Sequence, residues 1–448
     1  MNTKNAFHHR KLQSAFGSLL LILPLAGIPL GASAAQWSPG TLIESSFASA
    51  APNVFAFNPS GNELWATAPD VSGGATVQVA QRTFGGQWSP LATITTIHSV
   101  AQVVLEDFSV SLSASNNAAA VWSVGGGVQI ALRSPAGVWQ APVDFVQSGG
   151  ASRVRAKLDA NGNGVAVWAR TTSAGSLVEA VTWSAAGAFG PVVQLSPSAQ
   201  GAFLPDLAVN EAGTAAAVWQ VAGPQDAGNP FQVESATRKA GGSWGAATAA
   251  SPNVPQTWSP QVALDGAGNA TVVWEQGATA NNYFIFGATQ RAGGSWGAPT
   301  KIEPANWYMA SEPTVAADSA GNVTSSWVVE NSGGGMLVRT ATLAAGASWG
   351  APVTLGQLTA TGGSTNLIPP VAVARDGSIS VVGWAAFAGA GSPNVAVRLG
   401  SGQWASTAIG GNPQISDVQA TNNARASANW SAANGVKYHR ALWQSDFP

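Results

Sequence analysis

Carboxylates able to act as a pair are few in this chain. Cleavage of a glycosidic bond needs two acids facing each other about 5–10 Å apart. Candidate acids outside a recurrent turn position include Glu106, Asp107, Asp206, Glu234, Glu275, Glu303, Glu312 and Glu330. Glu275 and Glu330 follow a tryptophan by one and three residues. Sequence order does not choose a pair among them, and acids in loops are ordinarily just solvated. Trp258, Tyr283, Trp307 and Tyr308 offer a second chemistry. Rings of this kind stack on sugar faces or anchor protein contacts, because they combine apolar area with a polar tip. They also serve as plain packing. A third group is cationic: Arg153, Arg155 and Lys157 alternate in RVRAKLD. In a strand that alternation puts all three on one face, either lining a channel or forming a polar edge.

Other motifs point away from chemistry. DANGNG at Asp159–Gly164 matches the first half of a calcium loop, but its twelfth position is Arg170, a cation where the ion needs a bidentate acid. The same segment reads as a tight turn. His8, His9, His98 and His439 form no metal-ligand spacing, and no Ser-His-Asp arrangement stands out. There is no cysteine, which excludes disulfides, thiolate metal sites and a thiol nucleophile. No cofactor, no metal and no catalytic residue is assigned.

Composition narrows the class further. Only 9% of the 448 residues are charged, the formal net charge is −2, and there are 52 Gly and 19 Trp. A phosphate-binding surface needs a concentrated basic stripe, so nucleic acid is not expected as partner. Residues 1–34 read as a signal peptide: a basic start with Lys4, Arg10 and Lys11, an apolar run from Phe16 to Leu30, then Ala32-Ser33-Ala34 as a small-x-small cleavage pattern. Pro24 and Pro29 interrupt that run, so it suits an anchor poorly. The mature chain, 35–448, is expected to be exported to the periplasm, the cell surface or the medium, with no membrane span.

Positioning elements follow from a repeat. Trp65, Trp122, Trp168, Trp219, Trp274, Trp327, Trp384 and Trp430 recur 46 to 57 residues apart. Each ends a phrase such as LDGAGNATVVW. From Pro260 one unit reads PQVALD, GAGN, ATVVWEQ, a loop, FIFGATQR, AGG and SWGAPTKI. Apolar residues alternate within each piece, and Gly, Asn and Asp sit where hairpins turn, so each unit is four strands, a to d. A turn residue lies nine before the tryptophan in seven units: Ser113, Asp159, Asn210, Asp265, Asp318, Arg375 and Thr421; the first unit is looser, with Asn58 before Trp65. A second aromatic column marks strand d: Trp37, Trp88, Trp139, Phe189, Trp244, Trp296, Trp349 and Trp404. Its first member precedes any strand a, and the last unit lacks a strand d. The sequence therefore predicts an all-β, single eight-bladed β-propeller, four antiparallel strands per blade, closed by the N-terminal strand completing the last blade.

The order of elements resembles the bacterial neuraminidase, or Asp-box, repeat of sialidase-like propellers. ATRKAGGSW (Ala236–Trp244), ATQRAGGSW (Ala288–Trp296) and AQRTFGGQW (Ala80–Trp88) carry the Gly and Trp of that box. Its Asp is replaced by Lys239, by Gln290-Arg291 and by Thr83, so the boxes are degenerate. The resemblance implies a propeller over nearly the whole mature chain. Sialidase activity would require an arginine triad, an acid/base Asp and a Glu-activated Tyr on a six-bladed ring. Here Arg82, Arg133, Arg238 and Arg398 lie six residues before a strand-d aromatic and Arg291 five before, which reads as scaffold, and tyrosine is limited to Tyr283, Tyr308 and Tyr438.

The a–b and c–d turns are short and nearly constant. The d–a and b–c connections vary, and variable loops on a rigid scaffold are where binding groups usually sit. The function expected is a non-enzymatic propeller that binds a glycan or a surface protein through that rim. Its residues are Trp258, Trp307, Tyr308, Tyr283, Glu275 and Glu330, with Arg153, Arg155 and Lys157 lining the channel. The alternatives are a sialidase-like glycoside hydrolase or polysaccharide lyase with acids on the same rim, and a structural or assembly module at the cell surface.

Overall fold

A computed structural model describes residues 41–44 and 53–444, apart from 72–73, 85, 99–107, 147–149, 198–200, 223–229, 280–281, 305–308, 331–334, 359–368, 385–393, 410–412 and 433–437. The described residues lie in one compact unit, Ala35–Pro448. Every regular element among them is a β-strand, and the strands form eight antiparallel sheets of four or five strands.

The predicted a–b–c–d order is the observed one. In chain order the strands a are Asn53–Phe57, Phe108–Leu112, Gly150–Leu158, Ala202–Val209, Thr257–Leu264, Met309–Ala317, Val371–Val373 and Pro413–Thr421. Each packs against strand a of the next sheet, and Pro413–Thr421 packs back on Asn53–Phe57. In the last sheet Thr41–Glu44 supplies the outer strand, pairing with Tyr438–Gln444 through Thr41 and Arg440. Strands d are short in the middle sheets, down to Val193–Gln194, Thr248–Ala249 and Thr300–Lys301. Each leaves little unpaired backbone for another chain to add to. The strand-d aromatic lies outside these short strands, held by single bridges such as Arg133 to Trp139 and Gln290 to Trp296.

The core lies between sheets. Trp219 packs with Val165 and Val167 of the preceding sheet, and Trp274 with Ala216 and Val218 of its own predecessor. Trp122, Trp168, Trp219, Trp274 and Trp327 are fully buried. Each buried indole removes on the order of 150–250 Å² from water, and each N–H finds an acceptor: Gln129, Glu179, Glu234, Gln276 and Glu303 respectively. This accounts for two of the candidate acids, Glu234 and Glu303. Glu303 also pairs with Arg339 at 2.7 Å.

Turns bind neighbouring sheets together. The Asp318 carboxylate accepts the backbone N–H of Asn322 at 2.8 Å and its side-chain N–H at 2.7 Å. Asp159 does the same for Asn163 and also accepts the Asn161 N–H, so its carboxylate is committed to the turn. Adjacent turns are joined by Ala160 N–H to Glu211 O, Gly266 N–H to Ser319 O and Ser319 N–H to Arg375 O.

The nine-residue step fails in the seventh sheet. There Gly377 N–H bonds to Ala374 O, as Gly321 N–H bonds to Asp318 O, so Ala374 holds the turn position. The hairpin is one residue longer, and Arg375 lies inside it. In the first sheet Phe57 pairs with Glu63 as Ala317 pairs with Val323. Thr67 therefore stands where later sheets have tryptophan, and Trp65 sits two residues earlier on the same face.

Candidate functional site

Strand a contains an irregularity that decides where the rim residues go. In sheets three to six its register slips by one residue, at Ser152/Arg155, Phe203/Asp206, Trp258/Gln261 and Ser311/Thr314. At each slip one non-glycine residue has a left-handed backbone: Arg153 (φ 58°), Leu204 (φ 49°), Ser259 (φ 50°) and Glu312 (φ 55°). Such a bulge adds an unpaired residue and re-aims the side chains beside it. Left-handed φ costs a non-glycine residue energy that the surroundings must supply.

At the fifth sheet the bulge assembles a corner. Trp258 pairs directly with Glu275 across strands a and b, so both side chains share one face. The indole is 36% exposed, whereas Glu275 is 9% exposed. Glu275 Oε1 accepts the Glu312 N–H of the sixth sheet at 2.8 Å. Burial pushes the Glu275 carboxyl up to about 7, with the Glu312 charge adding to the rise; the Glu312 N–H and the Ser259 side chain oppose it. Tyr283, opposite Gly277 on strand c, is raised by burial and by the Glu275 charge. A Cβ at Gly277 would lie 2.4 Å from Gln256 Oε1 and 3.1 Å from the Tyr283 ring, so a larger residue there would have to push the Gln256 amide aside. Trp258 also meets Phe231 of the fourth sheet, ring centroids 4.6 Å apart.

The remaining predicted residues are spread out. Glu330 pairs with Met309 at the end of its strand. Trp307 and Tyr308 lie outside the described residues, as do Glu106 and Asp107. The bulge at Arg153 interrupts the expected alternation of the three cations. Arg155 is 3.9 Å from Asp206 of the next sheet. Lys157 lines a cavity of about 280 Å³ bordered by strand a of all eight sheets. Sequence reading missed Arg375 in that cavity. Its guanidinium donates to Val209 O at 3.4 Å, three sheets away in the chain. Burial lowers its pKa while Glu211 acts the other way. The scaffold reading of the other arginines matches their contacts. Arg82 pairs with Glu63 at 3.0 Å and lies 4.7 Å from the Trp88 ring centroid, and Arg398 lies over Trp404. In the fifth sheet Gln290 takes that position and donates to Gly294 O, as Arg82 does to Gly86 O. Among the described residues no cluster of acids and histidines could hold a metal ion.

No protein-family sequence profile matches the chain, and no curated relative matches it. Solved structures do. The BP39L lectin from Burkholderia pseudomallei is 16% identical with a TM-score of 0.52, over 82% of this chain and 98% of the lectin. A fungal lectin from Aleuria aurantia, described as a six-bladed β-propeller, is 16% identical with a TM-score of 0.35, over 69% and 97%. The Hadza microbial sialidase Hz136 is 12% identical with a TM-score of 0.41, over 91% and 94%. The likeness to the BP39L lectin is one of fold alone: this chain is all-β, built of antiparallel sheets of four or five strands.

Proposed function

We propose that this chain is an exported, non-enzymatic eight-bladed β-propeller that binds a carbohydrate through the rim formed by its d–a and b–c loops. Supporting the ring are the eight sheets, the packing of the last strand a on the first, and the outer strand lent by Thr41–Glu44. The observation that carries the binding reading is the Trp258–Glu275 corner, an exposed indole and a buried carboxyl on one face of a directly paired strand position. An indole face takes the C–H face of a sugar while neighbouring polar groups fix its hydroxyls, the usual division of labour in a ligand site. Export rests on the signal-like residues 1–34.

A second reading has its own observation. A carboxyl whose pKa is raised to about 7 suits a general acid near neutrality, so a glycoside hydrolase is the rival. A glycan-array screen of the chain from Ala35, followed by turnover assays on each hit, separates the two. Trp258→Ala is expected to weaken binding by about tenfold or more, as loss of a central aromatic anchor does. Unchanged binding in that variant would overturn the site. N-terminal sequencing of exported protein is expected to begin at Ala35; an intact Met1 would refute the cleavage.

A further inference from the structure

The corner at Trp258 has a counterpart one sheet earlier. Phe203 pairs across the strands with Gln220 as Trp258 pairs with Glu275. Both aromatics stand immediately before a left-handed bulge residue, Leu204 or Ser259, and each bulge is followed by proline, Pro205 or Pro260. Phe203 is 38% exposed and Gln220 only 1%. Neither the oxygen nor the nitrogen of the Gln220 amide has a hydrogen-bond partner among the described residues. A buried amide left unpaired costs free energy, and a site built to bond hydroxyls is where such a group belongs. The third and sixth sheets, bulged at the same place, lack the pattern: their equivalent pairs are Ser152 with Ala169 and Ser311 with Val328. Phe231, in the same sheet as Phe203, reaches Trp258 in the next sheet, ring centroids 4.6 Å apart, so the fourth sheet adds an aromatic ring beside the second corner.

We propose that these two corners are consecutive subsites for one uncharged oligosaccharide, with one sugar over Phe203 and Gln220 and the next over Trp258 and Glu275. The inference rests on the carbohydrate reading above. Its polar groups are an amide and a carboxyl, with the Glu312 carboxylate beyond, so a uronate or sulfated sugar would meet like charge. Two joined subsites gain from a shared ligand, because the second contact is intramolecular once the first has formed.

Isothermal titration with cellohexaose, mannohexaose and maltohexaose, their mono- and disaccharides, and an oligogalacturonate tests this. One hexasaccharide is expected to bind one per chain and at least about tenfold more tightly than its monosaccharide. Phe203→Ala and Gln220→Ala are each expected to remove most of that gain while leaving monosaccharide binding at Trp258 intact. Near-ultraviolet circular dichroism checks that both variants fold. Equal affinity for monomer and hexamer, stronger binding of the oligogalacturonate, or an unaltered gain in both variants would overturn the paired subsites and leave the single corner standing. Binding by none of the saccharides, with binding also missing from the full glycan array, would overturn both.

Discussion

Glu275 holds the corner together and carries a pH signature. Its carboxyl is raised from the usual range to about 7, first by burial. In the unfolded chain a glutamate titrates near 4.3, so the folded state binds the proton more tightly. The stability gained by keeping it protonated is full below about pH 4 and lost as pH rises through about 7. Thermal melts of the wild type are therefore expected to fall between about pH 5 and 8, relative to Glu275→Gln, whose amide does not titrate. Identical pH profiles for both proteins would show that Glu275 is ionised throughout. Sequence offered Trp258 as an aromatic and Glu275 as an acid just after a repeat tryptophan. Their pairing was not legible, because the bulge at Ser259 shifts the register by one residue, and a slip of one changes which residues share a face. Arg375 was misread for a related reason. Counting back nine from Trp384 lands one residue inside a longer hairpin.

The hairpin turns are the elements that the repeat specifies best. Asp, Gly and Asn recur there for distinct physical reasons. The acid accepts two N–H groups, the asparagine donates them, and the glycine takes positive φ. Gly321 has φ +92°, and a Cβ on it would lie 3.0 Å from Asp265 Oδ2 of the preceding sheet. Removing the acid is therefore expected to loosen the turn and its link to the neighbouring sheet. Asp318→Ala, which loses both bonds to Asn322, should cost about 1–2 kcal/mol in urea unfolding. The same substitution at exposed Asp376, whose carboxylate accepts from Ser378 and Asn423, should cost less, because water replaces those bonds. A larger loss at Asp376 would contradict this account of the turns. Strands d were readable only by their aromatic column. Their ladders are a few residues long, too short to show alternation.

Across the whole molecule, the second to seventh sheets pack their tryptophans against the preceding sheet, so an end without a neighbour would expose a core face. Thr41–Glu44 covers the outer edge of Tyr438–Gln444. A chain beginning at Ser45 is expected to melt at lower temperature and to associate through the uncovered edge, seen as a concentration-dependent rise in mass by light scattering. A monomer with unchanged melting would mean that this strand is dispensable. The all-β architecture of four-stranded antiparallel units was legible because most units repeat one tryptophan and one turn at a fixed spacing. The candidate corner was not, because Trp258 and Glu275 are brought opposite each other across strands a and b by a bulge, and no residue pattern in the sequence announces a bulge.

The pairing of Thr41 with Arg440 also sets a clock. At roughly 5–20 residues per second of synthesis, the first strand made waits tens of seconds for its partner. Contacts between chain ends this far apart also form slowly, because a long loop must close before they are rewarded. The intermediate units can stack as they emerge, but Thr41–Glu44 stays unpaired until Tyr438–Gln444 has been made. The final seam is thus a late, single event, and the period before it is when this chain is most exposed to proteolysis and to pairing with other copies of itself.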